Sequence, residues 1–129
     1  MPTTEEIMAK VLVTEQPYKY KDQEVVLKAL NYKEDIIVSA LINEVLEESK
    51  SLGLGQESIN QAVFVARILS TIKLSMFKFA DEKKRELLPM FVDMETMSRE
   101  SQTDFQAILD AYVWYHQKLE LSKEEKKSS

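Results

Sequence analysis

His116 is the only histidine in a chain of 129 residues that has no cysteine. Metal and nucleophile chemistry therefore has little to draw on. Thiolate sites and disulfides are excluded, and a His-Glu-x-x-His zinc site needs a second histidine. The Glu-x-x-His pairs of di-metal helical bundles are missing too, because Val113 stands where the glutamate would be needed before His116. His116 lies at helical spacing from Tyr112 and Leu119, which reads as a packed, hydrogen-bonded position. Carboxylates offer two groupings for acid–base work, Glu44 with Glu47 and Glu48, and Asp93 with Glu95. On polar helix faces such groups are solvated, and nothing in the sequence would bury them. Gly53-Leu54-Gly55-Gln56-Glu57-Ser58 approximates a dinucleotide fingerprint, but a helical pattern precedes it where a strand is required. It reads as a turn between helices. No phosphate P-loop and no Gly-x-Ser-x-Gly elbow occurs. These residues give catalysis no foothold and imply no metal, cofactor or small-molecule substrate.

The composition points to one domain with a real core: 44% of residues are hydrophobic and 30% charged. Two glycines and three prolines are few breakers, which favours long helices over a loop-rich fold. The net charge of −5 works against a broad nucleic-acid footprint. Glu5 and Glu6 stand where a secretory signal would be basic, and Arg67, Lys73 and Lys78 interrupt the most apolar run. The expectation is a soluble, cytoplasmic protein with no membrane partner.

The elements that must position any site are read from periodicity. Thr3-x-x-Glu6 has capping-box spacing and opens a short helix with Ile7, Met8, Val11 and Leu12 on one stripe. Pro17 ends or follows it. Tyr18-Lys19-Tyr20-Lys21 alternates like a strand, but four residues without a partner strand suggest an extended connection. Asp22 caps a helix with Val25, Val26, Ala29 and Leu30, and a break near Asn31 leads into Glu34 to Leu52. There Ile37, Val38, Leu41, Ile42, Val45 and Leu46 form an apolar stripe opposite Glu44, Glu47, Glu48 and Lys50. Gly53 sits where a C-terminal cap glycine belongs.

Glu57 to Asp81 is the longest apolar helical pattern. Val65, Ile68, Leu69, Ile72, Met76 and Phe79 share a face, widened by Ala62, Val63 and Ala66. A helix apolar on most of its circumference must be wrapped by others. Glu82 to Ser98 reads as the next helix, kinked or split by Pro89 and carrying Met90, Met94 and Met97. Ser101-x-x-Asp104 starts a last helix of about Gln102 to Leu121. The expected fold is all-α, a compact bundle of about five or six helices around the central one. It spans residues 1–121, followed by a polar tail over 122–129.

Binding is the remaining chemistry. The last helix docks Phe105, Ile108, Leu109, Tyr112, His116 and Leu119, yet Ala107, Ala111, Trp114 and Leu121 share nearly the opposite side. Either a partner or the N-terminal helix covers that side. Met90, Met94 and Met97 cluster beside Pro89, and methionine suits adaptable binding grooves as well as irregular cores. These seven residues are the candidate partner-binding set, for another protein or a second copy of the chain. The alternative is a DNA-binding regulator: Val45 to Arg67 has the outline of a helix-turn-helix, with Gln56, Ser58, Asn60 and Gln61 placed to touch bases. Glu57 and the scarcity of nearby positive charge argue against it. The Tyr18 to Lys21 strip could stack single-stranded nucleic acid, but two lysines make no charged groove.

The stretch from Ala62 to Leu119 resembles small helical proteins of phage tail and baseplate assembly. The likeness is carried by the order of features: the helix with Ala66-Arg67-Ile68-Leu69-Ser70-Thr71-Ile72, the charged Asp81 to Arg85 entry, a Leu87-Leu88-Pro89-Met90 helix, and a final helix with Tyr112. Ser75-Met76-Phe77-Lys78-Phe79 replaces the small glycine-containing turn that follows the apolar helix in such proteins. The resemblance implies a non-enzymatic binding role, in the host cytoplasm or the virion. The expected function is thus protein–protein interaction, as an assembly factor or subunit.

Overall fold

A computed structural model of the chain describes residues 15–83 and 86–120. The proposed Thr3–Glu6 helix start and the polar tail lie outside those residues. What is described is a two-layer α+β domain. Strands β1 (Glu15–Tyr20), β2 (Gln23–Lys28), β3 (Met76–Phe79) and β4 (Leu87–Pro89) form one antiparallel sheet in sequential order. Helices α1 (Tyr32–Ser51) and α2 (Gln56–Ser75) are inserted between β2 and β3, and α3 (Met94–Tyr115) follows β4. A π-helical turn, His116–Glu120, continues α3. The all-α bundle is therefore wrong, and each new strand has a local cause.

Alternation at Tyr18 to Lys21 did mark a strand, and its partner is the next segment. Lys21 and Asp22 both have positive φ, 47° and 67°, the signature of a two-residue type I′ turn. Tyr20 thus pairs with Gln23 and Tyr18 with Val25. Val25 and Leu27 then face inward and Val26 and Lys28 outward, a period of two where a helix was expected. The central helix stops at Ser75 because Met76 turns extended (φ −94°, ψ 127°) and joins β2. Pro89 ends an edge strand instead of kinking a helix. Pro17 also lies in an edge strand, the place in a sheet where a missing N–H is tolerated.

Two helices meet at the expected Gly53 turn, although α2 ends at Ser75 and not at Asp81. Asn31 and Glu34 form a full capping box: the Asn31 side chain accepts from Glu34 N–H at 2.8 Å, and Glu34 accepts from Asn31 N–H at 3.0 Å. Gly53, at φ 73°, closes α1 with the paired bonds of a Schellman motif, Gly53 N–H to Lys50 O (3.0 Å) and Leu54 N–H to Ser49 O (3.2 Å).

α2 lies between α1 and α3, and its C-terminal half packs toward the sheet. The core joins Ile68 and Ile72 of α2 to Val25 and Leu27 of β2, Met76 of β3, and Ile108, Ala111 and Tyr115 of α3. Burying an Ile or Leu side chain contributes about 1.5–3 kcal/mol, so this cluster outweighs any single polar tie. Two polar ties nonetheless fix the hairpin onto α3. The buried Leu30 N–H donates to the Tyr115 hydroxyl at 3.0 Å, and the Tyr20 hydroxyl donates to Glu100 at 2.7 Å. α3 breaks at Asp104 (φ −151°, ψ 72°), whose carboxylate accepts from Ala107 N–H at 3.1 Å and restarts the helix. A helix start near Asp104 was legible in the sequence.

Candidate functional site

The sequence-derived candidates separate sharply. Ala111 and Met97 are 0% exposed and closed to any partner. Ala107, Trp114 and Met90 are half-buried against the core. Trp114 stacks on Tyr18 of β1 with ring centroids 5.1 Å apart, so the hairpin covers this side of α3. Leu121 lies outside the described residues. Only Met94 reaches an open apolar surface. His116, expected to be packed, is exposed. Ile108, Ala111, Tyr115 and Leu119, at steps of three and four residues, make the buried row instead.

That open surface is a groove of about 560 Å³. Ala62, Val65, Ala66 and Leu69 of α2 form its floor, Leu41 and Val45 of α1 one wall, and Met94 closes one side. Ser58 and Gln61 are the polar residues at its rim. A second depression of about 290 Å³ shares Leu41 and Met94 and continues past Ile37, Ala40 and Leu74 to Glu44 and Lys73. From Ser58 to Lys73 the combined trough follows α2 for roughly 22 Å, about four helical turns. It exists because α1's apolar stripe is wider than its contact with α2. Val38 and Ile42 are buried, whereas Ile37 remains 48% exposed and Leu41 and Val45 half-exposed.

The acid–base candidates have structural roles or none. Asp93 caps α3, accepting from Thr96 N–H at 2.8 Å, and that bond holds its carboxyl below the usual range. Glu95 pairs with Arg99 at 2.7 Å on the surface, and Glu44, Glu47 and Glu48 are exposed. The densest polar cluster is Tyr20, Lys21, Glu100 and Asp104. Lys21 lies 3.1 Å from Glu100 and 3.9 Å from Asp104, bridging the break in α3. Burial, then the bond to Glu100, pushes the Tyr20 phenol far up, while the Tyr20 bond holds Glu100 low. Both shifts run away from neutrality, opposite to what a general acid or base needs. The cluster is a fastening. Among the described residues no group of three or more His, Asp or Glu side chains could hold a metal ion.

The base-contacting set of the helix-turn-helix reading is partly self-satisfied, since Gln56 donates to Asn60 at 2.8 Å. Among the described residues no helix is long and apolar enough to cross a membrane. Comparison with known protein families, curated proteins and solved structures finds no match. The Leu87 to Met90 helix that helped carry the phage-assembly resemblance is not formed, because Leu87–Pro89 is β4.

Sequence reasoning missed the groove because it treated the apolar circumference of α2 as fully wrapped. A signal was present: Ser58 and Gln61 interleave with Ala62 and Val65 on one face, a mixed edge unlike the stripe through Ile68 and Ile72.

Proposed function

We propose that this chain is a non-enzymatic protein–protein interaction protein, an assembly factor or structural subunit, that receives the apolar face of a partner's amphipathic helix. The observation that carries the reading is the continuous apolar trough between α1 and α2. Its length suits a helix presenting anchors at i, i+3 or i+4, and i+7. Met94 at the wall gives a deformable contact, and small Ala62 and Ala66 in the floor allow close approach. Glu44 and Lys73 place charges of both signs along its border, which can orient a partner. A narrower role in phage tail or baseplate assembly has only the sequence resemblance behind it.

The test is a pull-down from the native source with wild type and Ala62→Glu in parallel, each checked by thermal melting. The expected result is a defined protein partner with wild type that is lost with a folded Ala62→Glu. A partner retained by Ala62→Glu would remove the groove as the interface. Salt-sensitive capture of duplex DNA by both proteins would favour the regulator instead. Trp114→Lys is a poor probe here, because breaking the Tyr18 stack affects the fold first.

A further inference from the structure

One side of α1 is buried through Val38, Ile42 and Ser49. Beside it, Lys33, Ile37, Leu41, Glu44 and Glu48 recur at steps of three and four residues, so they share a second side. Ile37 lines the smaller depression of the trough and is still 48% exposed, while the larger one opens between Val45 and Ala62. The helix thus offers a knob near its N-terminus and a hole near its C-terminus. Charge is sorted along the same line. α1 and α2 run antiparallel about the Gly53 turn, which brings Lys73 to the Lys33 end. Glu44 and Glu48 lie towards the other end. Of the acidic residues near the lysines, Glu34 accepts from Asn31 N–H at 3.0 Å, and Asp35 falls on the side of Val38 and Ile42. Asp93 is near enough to Lys73 for its carboxyl to be lowered, and the N-terminus of α3 that it caps offsets its charge.

We infer that the occupant of the trough is α1 of a second copy of this chain, laid antiparallel across a two-fold axis. The inference rests on the trough as the interaction site and names its occupant. In a two-fold contact one patch must complement itself. With the axis near Leu41, Ile37 of each copy enters the other's larger depression, beside Val45 and Ala62. Lys33 and Lys73 of each then face Glu44 and Glu48 of the other, so opposite charges meet at both ends. A uniformly basic helix would meet the two lysines, and a uniformly acidic one the two glutamates. The lengths agree: Lys33 to Glu48 spans about 22 Å of helix, as does the trough. Each copy's α1 fills the other's trough, so the contact forms twice about one axis and closes as a dimer.

Sedimentation equilibrium of the full-length chain, from micromolar to millimolar concentration, tests this. Wild type is expected to pass from monomer to dimer, and Ala62→Glu to stay monomeric. Glu44→Lys with Glu48→Lys makes both ends of the contact basic, and Lys33→Glu with Lys73→Glu makes both acidic. Each double variant alone should dimerise at least about tenfold more weakly than wild type. An equimolar mixture of the two should recover a heterodimer, which also shows that both are folded. A wild type monomeric throughout would overturn the second copy as occupant; the capture experiment with Ala62→Glu then decides separately whether the trough binds another protein. A dimer that survives Ala62→Glu would place self-association on another face and sink the proposal. A dimer lost with Ala62→Glu but not recovered in the mixture would overturn the antiparallel seating of α1.

Discussion

The two halves of α2 have nearly the same apolar content and opposite surroundings. From Ile68 to Ser75 the helix is mostly enclosed: Ile68, Leu69, Ser70, Thr71, Ile72 and Ser75 are buried between the sheet, α1 and α3, and only Lys73 and Leu74 stay half-exposed where the trough ends. From Gln56 to Val65 only Ile59 is buried, Phe64 is 51% exposed, and Ala62 and Val65 face the open trough. Apolar periodicity reports that a helix face avoids water; it does not report what provides the cover. In the C-terminal half the chain provides it. In the N-terminal half a partner is the occupant we propose.

The contrast sets a scale of effects. Ile72→Ala, at a site with 0% exposure, is expected to cost about 3 kcal/mol by denaturant unfolding, whereas half-exposed Val65→Ala should cost under about 1 kcal/mol. Equal losses would mean that the trough is filled within the monomer. The covered half also depends on the polar ties that hold the hairpin over it. Tyr115→Phe leaves the buried Leu30 N–H without its acceptor and should cost about 1–3 kcal/mol.

Smaller effects come from the Tyr20–Glu100 tie, through pH. Glu100 is held below its ordinary value of 4.5, first by the Tyr20 hydrogen bond and then by Lys21. The unfolded chain therefore takes up that proton first, so this stabilisation is present above 4.5 and is lost as pH falls through the lower, folded value. Tyr20 has the opposite sign. Raised above 10.0 by burial and by Glu100, it contributes fully below 10.0, and its contribution is lost as pH climbs toward the folded value. Tyr20→Phe should lower stability most near neutrality, and its deficit against wild type should shrink at both extremes. Because the ring stays against Phe91, a deficit constant with pH would show that the bond from the hydroxyl to Glu100 carries no pH-linked stability. The smallest change in stability belongs to Ala62→Glu, within about 0.5–1 kcal/mol of wild type despite the expected loss of binding.

The same two halves show how far the sequence could be read. α1, its Gly53 cap and most of α2 were legible because a 3.6-residue period sustained over 20 residues in each helix leaves little ambiguity. The sheet was not, because its strands have three to six residues and no Asn-Gly turn. Lys21-Asp22 makes the hairpin turn with residues that seldom announce one. Met76, Phe77 and Phe79 fit the end of an apolar helix as well as a strand, and only pairing with Val25 to Leu27 decides between them. Of the candidate site, Met94 alone was foreseen. In the sequence Leu41, Val45, Ala62 and Val65 read as packing residues, since a wall of a groove and a wall of a core have the same composition.

A photo-crosslinking residue at Gln61, on the rim of the trough, tests the central claim most directly, with the same residue at exposed Arg67 as control. The account predicts cross-links from Gln61 to one segment of another polypeptide, at positions three or four residues apart on an apolar helix face, and none from Arg67. Cross-links confined to this chain, or equal from both positions, would contradict it.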